Sequence, residues 1–250
     1  MRRLILCLAA LPALGCCTAA FAAPEFRAGY GSWRYDLSGT VTDRDRTYDL
    51  RQDLEMEPSS GRHSVLIEWD TGPGWWPDLA LAYVKLGAAG HHEETFTLFD
   101  FLGQPIGTQT ESITASADFD DYDLTLRYPF GLGPLQCAAG VTVKKLRGDV
   151  LIDDTSNPPP SRQSYDETVP ELHAQLRWPL ARWLALTAAG QGIKYDGNSA
   201  SEWRATAELR LGPVLLEGGW QAKRYDIQLT GYALDAQLDG ALARIGFVLP

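Results

Sequence analysis

The sequence predicts an all-β fold, a transmembrane antiparallel up-and-down β-barrel of about ten strands, with eight strands as the alternative. Three observations predict it: polar and apolar residues alternate along short segments, tight and long connections alternate between these segments, and aromatic residues gather near the segment ends. Segments of alternating polarity separated by turns are typical of barrels that cross a membrane. We expect one such domain over residues 23–250, after a signal peptide over residues 1–22.

The alternation is clearest in three segments. Apolar residues hold every second position of 121–128, 171–178 and 202–211, and polar residues hold the positions between them. Because successive side chains of a strand point to opposite faces, each segment has one apolar face and one charged face. We expect strands near 26–38, 62–70, 78–88, 113–129, 134–151, 165–178, 182–195, 201–211, 214–228 and 233–249.

The connections alternate in length along the chain. The tight ones, rich in Gly and Pro, lie at 72–74, 130–134, 179–181 and 212–213. The longer and more polar ones span 39–61, 87–112 and 153–160. Outer-membrane barrels have short periplasmic turns and longer extracellular loops, so an even strand count places both ends of the domain beside the short turns.

Aromatic residues near the strand ends predict two girdles. Around the tight turns lie Trp69, Trp75, Trp76, Tyr128, Phe130, Trp178 and Trp183. Toward the opposite strand ends lie Tyr35, Tyr165, Tyr195, Trp203, Tyr225 and Tyr232. Because amphipathic rings favour the headgroup level of a bilayer, we expect both sets to face outward.

The first residues predict export. A basic start, an apolar run over 4–11 and small residues at 20–22 make a secretory signal peptide that we expect to be cleaved after Ala22. The residues before Cys16 also resemble a lipoprotein cleavage box, so lipidation of Cys16 is the alternative. After cleavage at Ala22 only Cys137 remains, which excludes an internal disulfide.

The charge of the chain limits its partners. The sequence has 22 Lys and Arg against 32 Asp and Glu, which gives a formal net charge of −10. Nucleic-acid binding needs a basic surface, so we exclude nucleic acid as a partner. The expected partner is outer-membrane lipid, and the sequence leaves the oligomeric state open.

A ring of eight to ten strands holds side chains rather than a wide channel. The charged faces of the strands should therefore meet in the lumen, either as a salt-bridged plug or as a charged conduction path. The expected lumen residues are Asp121, Asp123, Arg127, Lys144, Glu171, His173, Arg177, Glu202, Arg204, Glu208 and Arg210. The expected lipid-facing residues are Leu124, Leu126, Leu172, Leu176, Ala205, Ala207 and Leu209.

Two histidine-containing segments are candidates for a metal site or a catalytic site. Residues 91–94 read His-His-Glu-Glu in an expected exposed loop, where adjacent histidines diverge and do not make a ready zinc chelate. His173 on an inward face would need a nucleophile within reach, and Ser161 and Ser164 lie at the strand end instead. We therefore expect no enzyme activity, no catalytic residue, no cofactor and no metal.

The single cysteine of the mature chain gives a test of strand facing. Cys137 shares its parity with Leu135, Ala139, Val141 and Val143, which are all apolar. We therefore expect Cys137 to face lipid, near the periplasmic edge of the bilayer.

Five short stretches spread over the chain carry a family resemblance. They are 29–33 (GYGSW), 49–54 (DLRQDL), 195–199 (YDGNS), 223–226 (KRYD) and 234–240 (LDAQLDG). Together they resemble the OMP_w_GlyGly family of outer-membrane β-barrel proteins of Gram-negative bacteria, which are loosely like the OmpW barrels. The resemblance implies the cell outer membrane and the barrel-assembly machinery as a partner during insertion. Such barrels usually end in an aromatic residue, so either Phe247 serves in that role or assembly is less efficient.

The sequence thus favours an integral outer-membrane barrel that is structural or a narrow small-solute pore with a charged lumen. The alternative is a surface adhesin or ligand-binding barrel that acts through acidic extracellular loops. An outer-membrane hydrolase is the least favoured hypothesis.

Overall fold

The computed structural model describes residues 24–43, 46–58, 63–72, 76–99, 104–155, 159–229 and 231–250. The signal peptide, the lipidation alternative at Cys16 and Trp75 of the first expected girdle lie outside the described residues.

The described residues form twelve strands and contain no helix that is long and apolar enough to cross a membrane. The strands are β1 (Glu25–Asp43), β2 (Arg46–Asp49), β3 (Glu57–Pro58), β4 (His63–Asp70), β5 (Asp78–Phe99), β6 (Pro105–Leu132), β7 (Leu135–Asp154), β8 (Ser161–Ala181), β9 (Leu184–Tyr195), β10 (Asn198–Leu211), β11 (Val214–Leu229) and β12 (Tyr232–Leu249).

Ten of these strands close into a ring. Each of β4 to β11 pairs antiparallel with the strand that follows it, and β1 pairs with β4. Pairing of β12 with β1 closes the ring, from Phe26 opposite Leu249 to Asp43 opposite Tyr232. The short β2 pairs with the end of β1, and β3 pairs with β5. Closure satisfies the backbone groups that a bilayer cannot hydrogen-bond. The predicted transmembrane up-and-down barrel is confirmed, with ten strands in the ring among the described residues.

One end of the ring, called the turn end, holds Glu25 of β1, Leu249 of β12 and the tight turns at 133–134, 182–183 and 212–213. The other end is called the rim. On β6 the outward residues from Leu132 to Tyr122 are all apolar or aromatic over eleven positions, and Asp120 is the first outward charge beyond them. This height matches the roughly 9–11 residues with which a tilted strand crosses a bilayer.

Alternation along β6 separates the two faces. Leu124 is 39% exposed and Leu126 is 45% exposed, whereas Asp123 and Thr125 between them are buried. All expected lipid-facing residues lie on the outside of the ring; they are Leu124, Leu126, Leu172, Leu176, Ala205, Ala207 and Leu209. An apolar outer belt therefore surrounds a polar interior.

The prediction of the girdle opposite the tight turns is wrong for four of its six residues. At the turn end Trp69, Trp76, Tyr128, Phe130, Trp178 and Trp183 are exposed, as expected. Toward the rim Tyr195 and Trp203 are exposed, but Tyr35, Tyr165, Tyr225 and Tyr232 are buried inside the ring because they share the parity of inward residues. The exposed outward rings on that side are Tyr30, Tyr122, Trp203 and Trp220.

The prediction of loops over 39–61 and 87–112 is also wrong. Strands β5 and β6 pair through most of 87–112, so His91, His92 and Glu93 lie in β5 rather than in a loop. Above the belt the outward residues turn polar while inward residues such as Ala115 stay apolar, so the strands still have a face to bury. The segment 50–56 folds inward, as described below.

The turn between β9 and β10 is a tight hairpin. Its two central residues, Asp196 and Gly197, have positive φ angles of 50° and 83°. Positive φ at both central residues is the requirement of a tight type I′ hairpin.

Cys137 lies on the outer side of β7, opposite Phe130 of β6 and Leu176 of β8. Both neighbours also point outward and are exposed, whereas Cys137 is only 8% exposed. The thiol therefore lies under larger outward side chains near the turn end.

A pair of substitutions on one face of β6 tests the belt. Leu126→Arg places a charge in the belt and should lower the free energy of unfolding by about 2–4 kcal/mol. Ser116→Arg lies on the same face of the same strand beyond the belt and should cost less than about 0.5 kcal/mol. Urea unfolding in lipid vesicles, followed by tryptophan fluorescence, measures both. Equal losses would contradict this depth assignment.

Candidate functional site: a charged layer beneath an apolar chamber

Inward side chains divide the lumen into two regions. Toward the turn end lies a charged layer built on the acidic and basic residues of the polar strand faces. Its central cluster consists of Asp121, Asp123, Lys144, Glu202 and Lys223. Toward the rim lies a chamber with apolar and aromatic walls.

Two buried lysines organise the central cluster. Lys144 Nζ lies 3.2 Å from Asp121 Oδ1, 2.8 Å from Asp123 Oδ1 and 3.5 Å from Glu202 Oε2. Lys223 Nζ lies 2.5 Å from Asp121 Oδ2 and 2.8 Å from Glu202 Oε2. Both lysine side chains are 2% exposed.

The strand register explains how these residues meet. Lys144 of β7 is directly opposite Asp123 of β6, and Lys223 of β11 is directly opposite Glu202 of β10. Such cross-strand pairs on one face of a sheet lie within contact distance. The bond from Lys223 to Asp121 then joins β11 to β6 across the lumen.

Arginines extend the charged layer toward the turn end. Arg127 donates to Glu68 at 2.9 Å and to Asp70 at 3.2 Å, and Arg27 lies 3.3 Å from Asp70. Further ion pairs of this end are Arg177 with Glu208 at 3.0 Å, Arg210 with Glu25 at 2.7 Å and Arg244 with Glu217 at 2.8 Å. Paired opposite charges from many strands thus fill the part of the lumen at the turn end.

Glu171 and His173, two of the expected lumen residues, have buried polar atoms without a hydrogen-bond partner among the described residues. Glu171 is 1% exposed, and neither of its carboxylate oxygens has a hydrogen-bond partner among the described residues. Its electrostatic neighbours include Lys144, Asp123 and Glu202. His173 Nδ1 lies 3.3 Å from Gln191 Oε1, while its Nε2 has no partner in the described chain. Arg204 lines two small gaps in the layer.

The structure does not bring Ser161 or Ser164 to His173. Ser164 lies nine residues away on the same strand, which corresponds to roughly 30 Å at about 3.3 Å per residue. Ser161 is farther still, and its hydroxyl donates to Asp43. These serines and His173 therefore do not form a hydrolytic site.

The carboxylates of the central cluster have the spacing of a cation site. Oxygens of Asp121, Asp123 and Glu202 lie within 4.8 Å of one another. The ammonium groups of Lys144 and Lys223 already lie at these oxygens and supply two positive charges. The cluster is thus a carboxylate site whose cations are lysine side chains.

The chamber lies above this layer. It is a cavity of about 70 Å³, partly open, whose walls come from β1, β5, β6, β7, β11, β12 and the segment 50–56. Its lining includes Leu37, Leu50, Leu54, Met56, Leu86, Phe119, Val150, Ile152, Tyr232 and Leu238. Only Tyr35, Tyr225 and Tyr232 contribute side-chain polar groups to the lining.

The inward segment 50–56 forms one wall of the chamber. Asp49 Oδ1 accepts from the backbone N–H groups of Arg51 and Gln52 at 2.8 and 2.9 Å, which turns the chain inward after β2. Leu54 is then 1% exposed. A Cβ at Gly90 would lie 1.9 Å from the Leu54 carbonyl oxygen, so this approach of the two backbones requires glycine.

Polar contacts join opposite walls at the mouth of the chamber. Asp154 of β7 accepts from Arg46 at 2.9 Å and from Tyr48 at 2.8 Å, and Asp43 of β1 accepts from Ser161 of β8 at 3.0 Å. Burial and the hydrogen bond to Asp154 raise the pKa of Tyr48, which keeps its phenol neutral. The mouth is narrowed by these contacts. Neither the chamber nor its mouth was predicted from the sequence.

Comparison with known proteins finds structural similarity alone. No family model matches the chain, and no curated protein matches it in sequence. Solved structures that are similar include Ail of Yersinia pestis (10% identity, 91% of this chain and 100% of that chain covered, TM-score 0.37). The translocator domain of the autotransporter NalP from Neisseria meningitidis is also similar (10% identity, 90% and 88% covered, TM-score 0.42). AlkL in DMPC bilayers is a third (12% identity, 94% and 94% covered, TM-score 0.35).

Of these, AlkL is an outer membrane protein. At TM-scores below 0.5 the likenesses carry no argument about this chain. Because no family model matches, membership of the OMP_w_GlyGly family stays a prediction.

Removal of one lysine tests the central cluster. Lys223→Met leaves buried Asp121 and Glu202 with too little positive charge and should lower the free energy of unfolding by about 3–5 kcal/mol. Lys194→Met, on the exposed outer face of β9, should change it by less than about 0.5 kcal/mol. Urea unfolding in vesicles measures both. Similar small losses for the two variants would show that the ion pairs contribute little.

Proposed function

We propose that the chain is an integral outer-membrane barrel that is closed to ions by its charged layer and takes up a small apolar molecule into the chamber near its rim. In this proposal the signal peptide exports the protein, the turn end faces the periplasm and the rim faces the cell exterior. The observation that carries the proposal is the abrupt change of lumen chemistry from paired charges to an almost wholly apolar cavity.

The ion pairs support the plug interpretation of the lumen charges rather than the conduction path. Lys144, Lys223, Asp121 and Arg127 are all nearly fully buried, so these charges have little surface exposed to water. The gaps in the layer are small, at about 30 Å³ each for the two that Arg204 lines. A charged group that passed the layer would have to break several of these pairs at once.

The chamber supports the uptake of an apolar molecule. Small-molecule sites are typically concave and apolar, with few polar groups. Its volume of about 70 Å³ is well below the roughly 150 Å³ of an apolar cavity that binds benzene. A ligand the size of one ring must therefore enlarge the cavity, and the segment 50–56 is the part of the wall that belongs to no barrel strand.

Conductance tests the closed layer. The refolded full chain in a planar bilayer should show no defined current steps in KCl, while a general-diffusion porin in the same bilayer shows them. Steps of a reproducible size would overturn the plug and favour the narrow small-solute pore.

Ligand binding tests the chamber. Toluene should bind the protein in lipid nanodiscs, detected by saturation-transfer NMR against empty nanodiscs. Ala236→Phe, which fills the chamber wall on β12, should lower the affinity by tenfold or more. Ala243→Phe lies on the outer face of the same strand and should leave binding unchanged. Equal binding to both variants would place toluene in the lipid and not in the chamber.

A surface role is the second candidate. Strands β5 to β8 rise above β9 and β10, because β8 pairs with β9 only from Leu172 onward, while it pairs with β7 up to Ser161. This raised wall replaces the acidic loops expected from the sequence and offers an exposed surface for an adhesin or surface-ligand role. Loss of cell binding on deletion of 90–112, with the barrel still folded, would favour this candidate.

A further inference from the structure

Two buried tyrosines meet at the rim side of the lumen. Tyr165 of β8 is 5% exposed and Tyr232 of β12 is 6% exposed. Their rings meet edge to face with centroids 6.0 Å apart, and Tyr232 lines the chamber. Apart from the interaction between the two phenols, neither hydroxyl has a hydrogen-bond partner within the part of the chain that the structure describes.

The other two chamber tyrosines are different. Tyr35 donates to the Gly87 carbonyl oxygen at 2.9 Å, and Tyr225 donates to Asp121 at 3.2 Å. A buried hydroxyl without a partner is unfavourable, and phenylalanine would fill the same space without that cost. A bond between the hydroxyls of Tyr165 and Tyr232 would use only one of the two protons. This pair therefore retains a donor for a further group.

The charges near these hydroxyls limit what that group is. Asp43 lies directly opposite Tyr232 on β1 and is 8% exposed, and Asp154 at the mouth is 4% exposed. Arg46 is the cation that pairs with Asp154. Among the described residues of the mouth, two carboxylates thus face one guanidinium, so a ligand carboxylate would be repelled.

We propose that the ligand of the chamber is a small apolar molecule that carries one uncharged hydroxyl group, and that Tyr165 and Tyr232 hydrogen-bond this hydroxyl. The proposal rests on the proposed function of the chamber and names its ligand class. The apolar body packs against the chamber walls, while the hydroxyl lies at the rim side beside the two phenols.

Toluene and p-cresol form a matched pair of probes, because they differ only by one hydroxyl. A phenol with a pKa of about 10 is neutral at pH 7. Affinities are measured by saturation-transfer NMR on the full chain in nanodiscs, with empty nanodiscs as the blank. We expect p-cresol to bind roughly fivefold more tightly than toluene, as one net hydrogen bond gives.

The variant Tyr165→Phe with Tyr232→Phe should remove this preference and leave toluene binding unchanged. Tyr128→Phe, at an exposed tyrosine of the outer face of β6, is the control and should preserve the preference. Each variant is first checked for the gel mobility shift of a folded barrel. Single Tyr165→Phe and Tyr232→Phe variants replace the double variant if it does not fold.

The outcomes separate the two proposals. If neither probe binds in a manner that Ala236→Phe abolishes, the chamber function itself fails. If toluene binds in the chamber but p-cresol binds no better, or if its advantage survives the tyrosine substitutions, only the hydroxyl-ligand proposal is overturned. Benzoate binding as tight as that of p-cresol would also overturn it, because the mouth would then accept a carboxylate.

Discussion

The pairing of Lys223 with Asp121 across the lumen is the interaction on which the rest of this barrel depends. A charged group in a ring of this width has no bulk water around it, so it is stable only where an opposite charge from another strand meets it. Lys223 of β11 meets Glu202 of the neighbouring strand and Asp121 of the far wall. Lys144 of β7 meets Asp123 of the neighbouring strand and Glu202 of β10. The inward charges thus fix which strands face one another.

This constraint also divides the lumen by function. Where charges are paired, the space between the strands is filled, and passage would require the pairs to separate. Toward the rim the inward residues become apolar as far as the mouth, where Asp154 pairs with Arg46. Apolar walls from six strands cannot meet at the centre of the ring, so the segment 50–56 folds in and a cavity remains. The chamber follows from the change in inward chemistry, and the proposed ligand binding follows from the chamber.

How much of the fold and of the candidate site the sequence predicts depends on the physical signal at each residue. Parity along β6, β8 and β10 predicted which residues face inward, since a strand leaves each side chain only two choices. The same parity rule places Tyr35, Tyr165, Tyr225 and Tyr232 inside, and the prediction of a second girdle erred by using position along the strand alone.

The loop prediction over 87–112 failed because polar outward residues such as His91 above the bilayer resemble a loop, although their inward neighbours stay apolar. The ion-pair partners and the inward fold of 50–56 depend on contacts between distant strands, for which a single sequence has no signal. Leu50, Leu54 and Met56 were the only local sign, as apolar residues within an otherwise polar connection.

Sided labelling tests the closed charged layer most directly. In a Cys137→Ser background, Leu234→Cys lines the chamber and Leu215→Cys lines a pocket of about 180 Å³ at the turn end, and both positions are partly exposed. A small, charged, membrane-impermeant thiol reagent is added to one face of oriented proteoliposomes at a time. We expect reagent on the rim side to label position 234 and not 215, and reagent on the turn side to label 215 and not 234. Labelling of both positions from either side would contradict a closed layer.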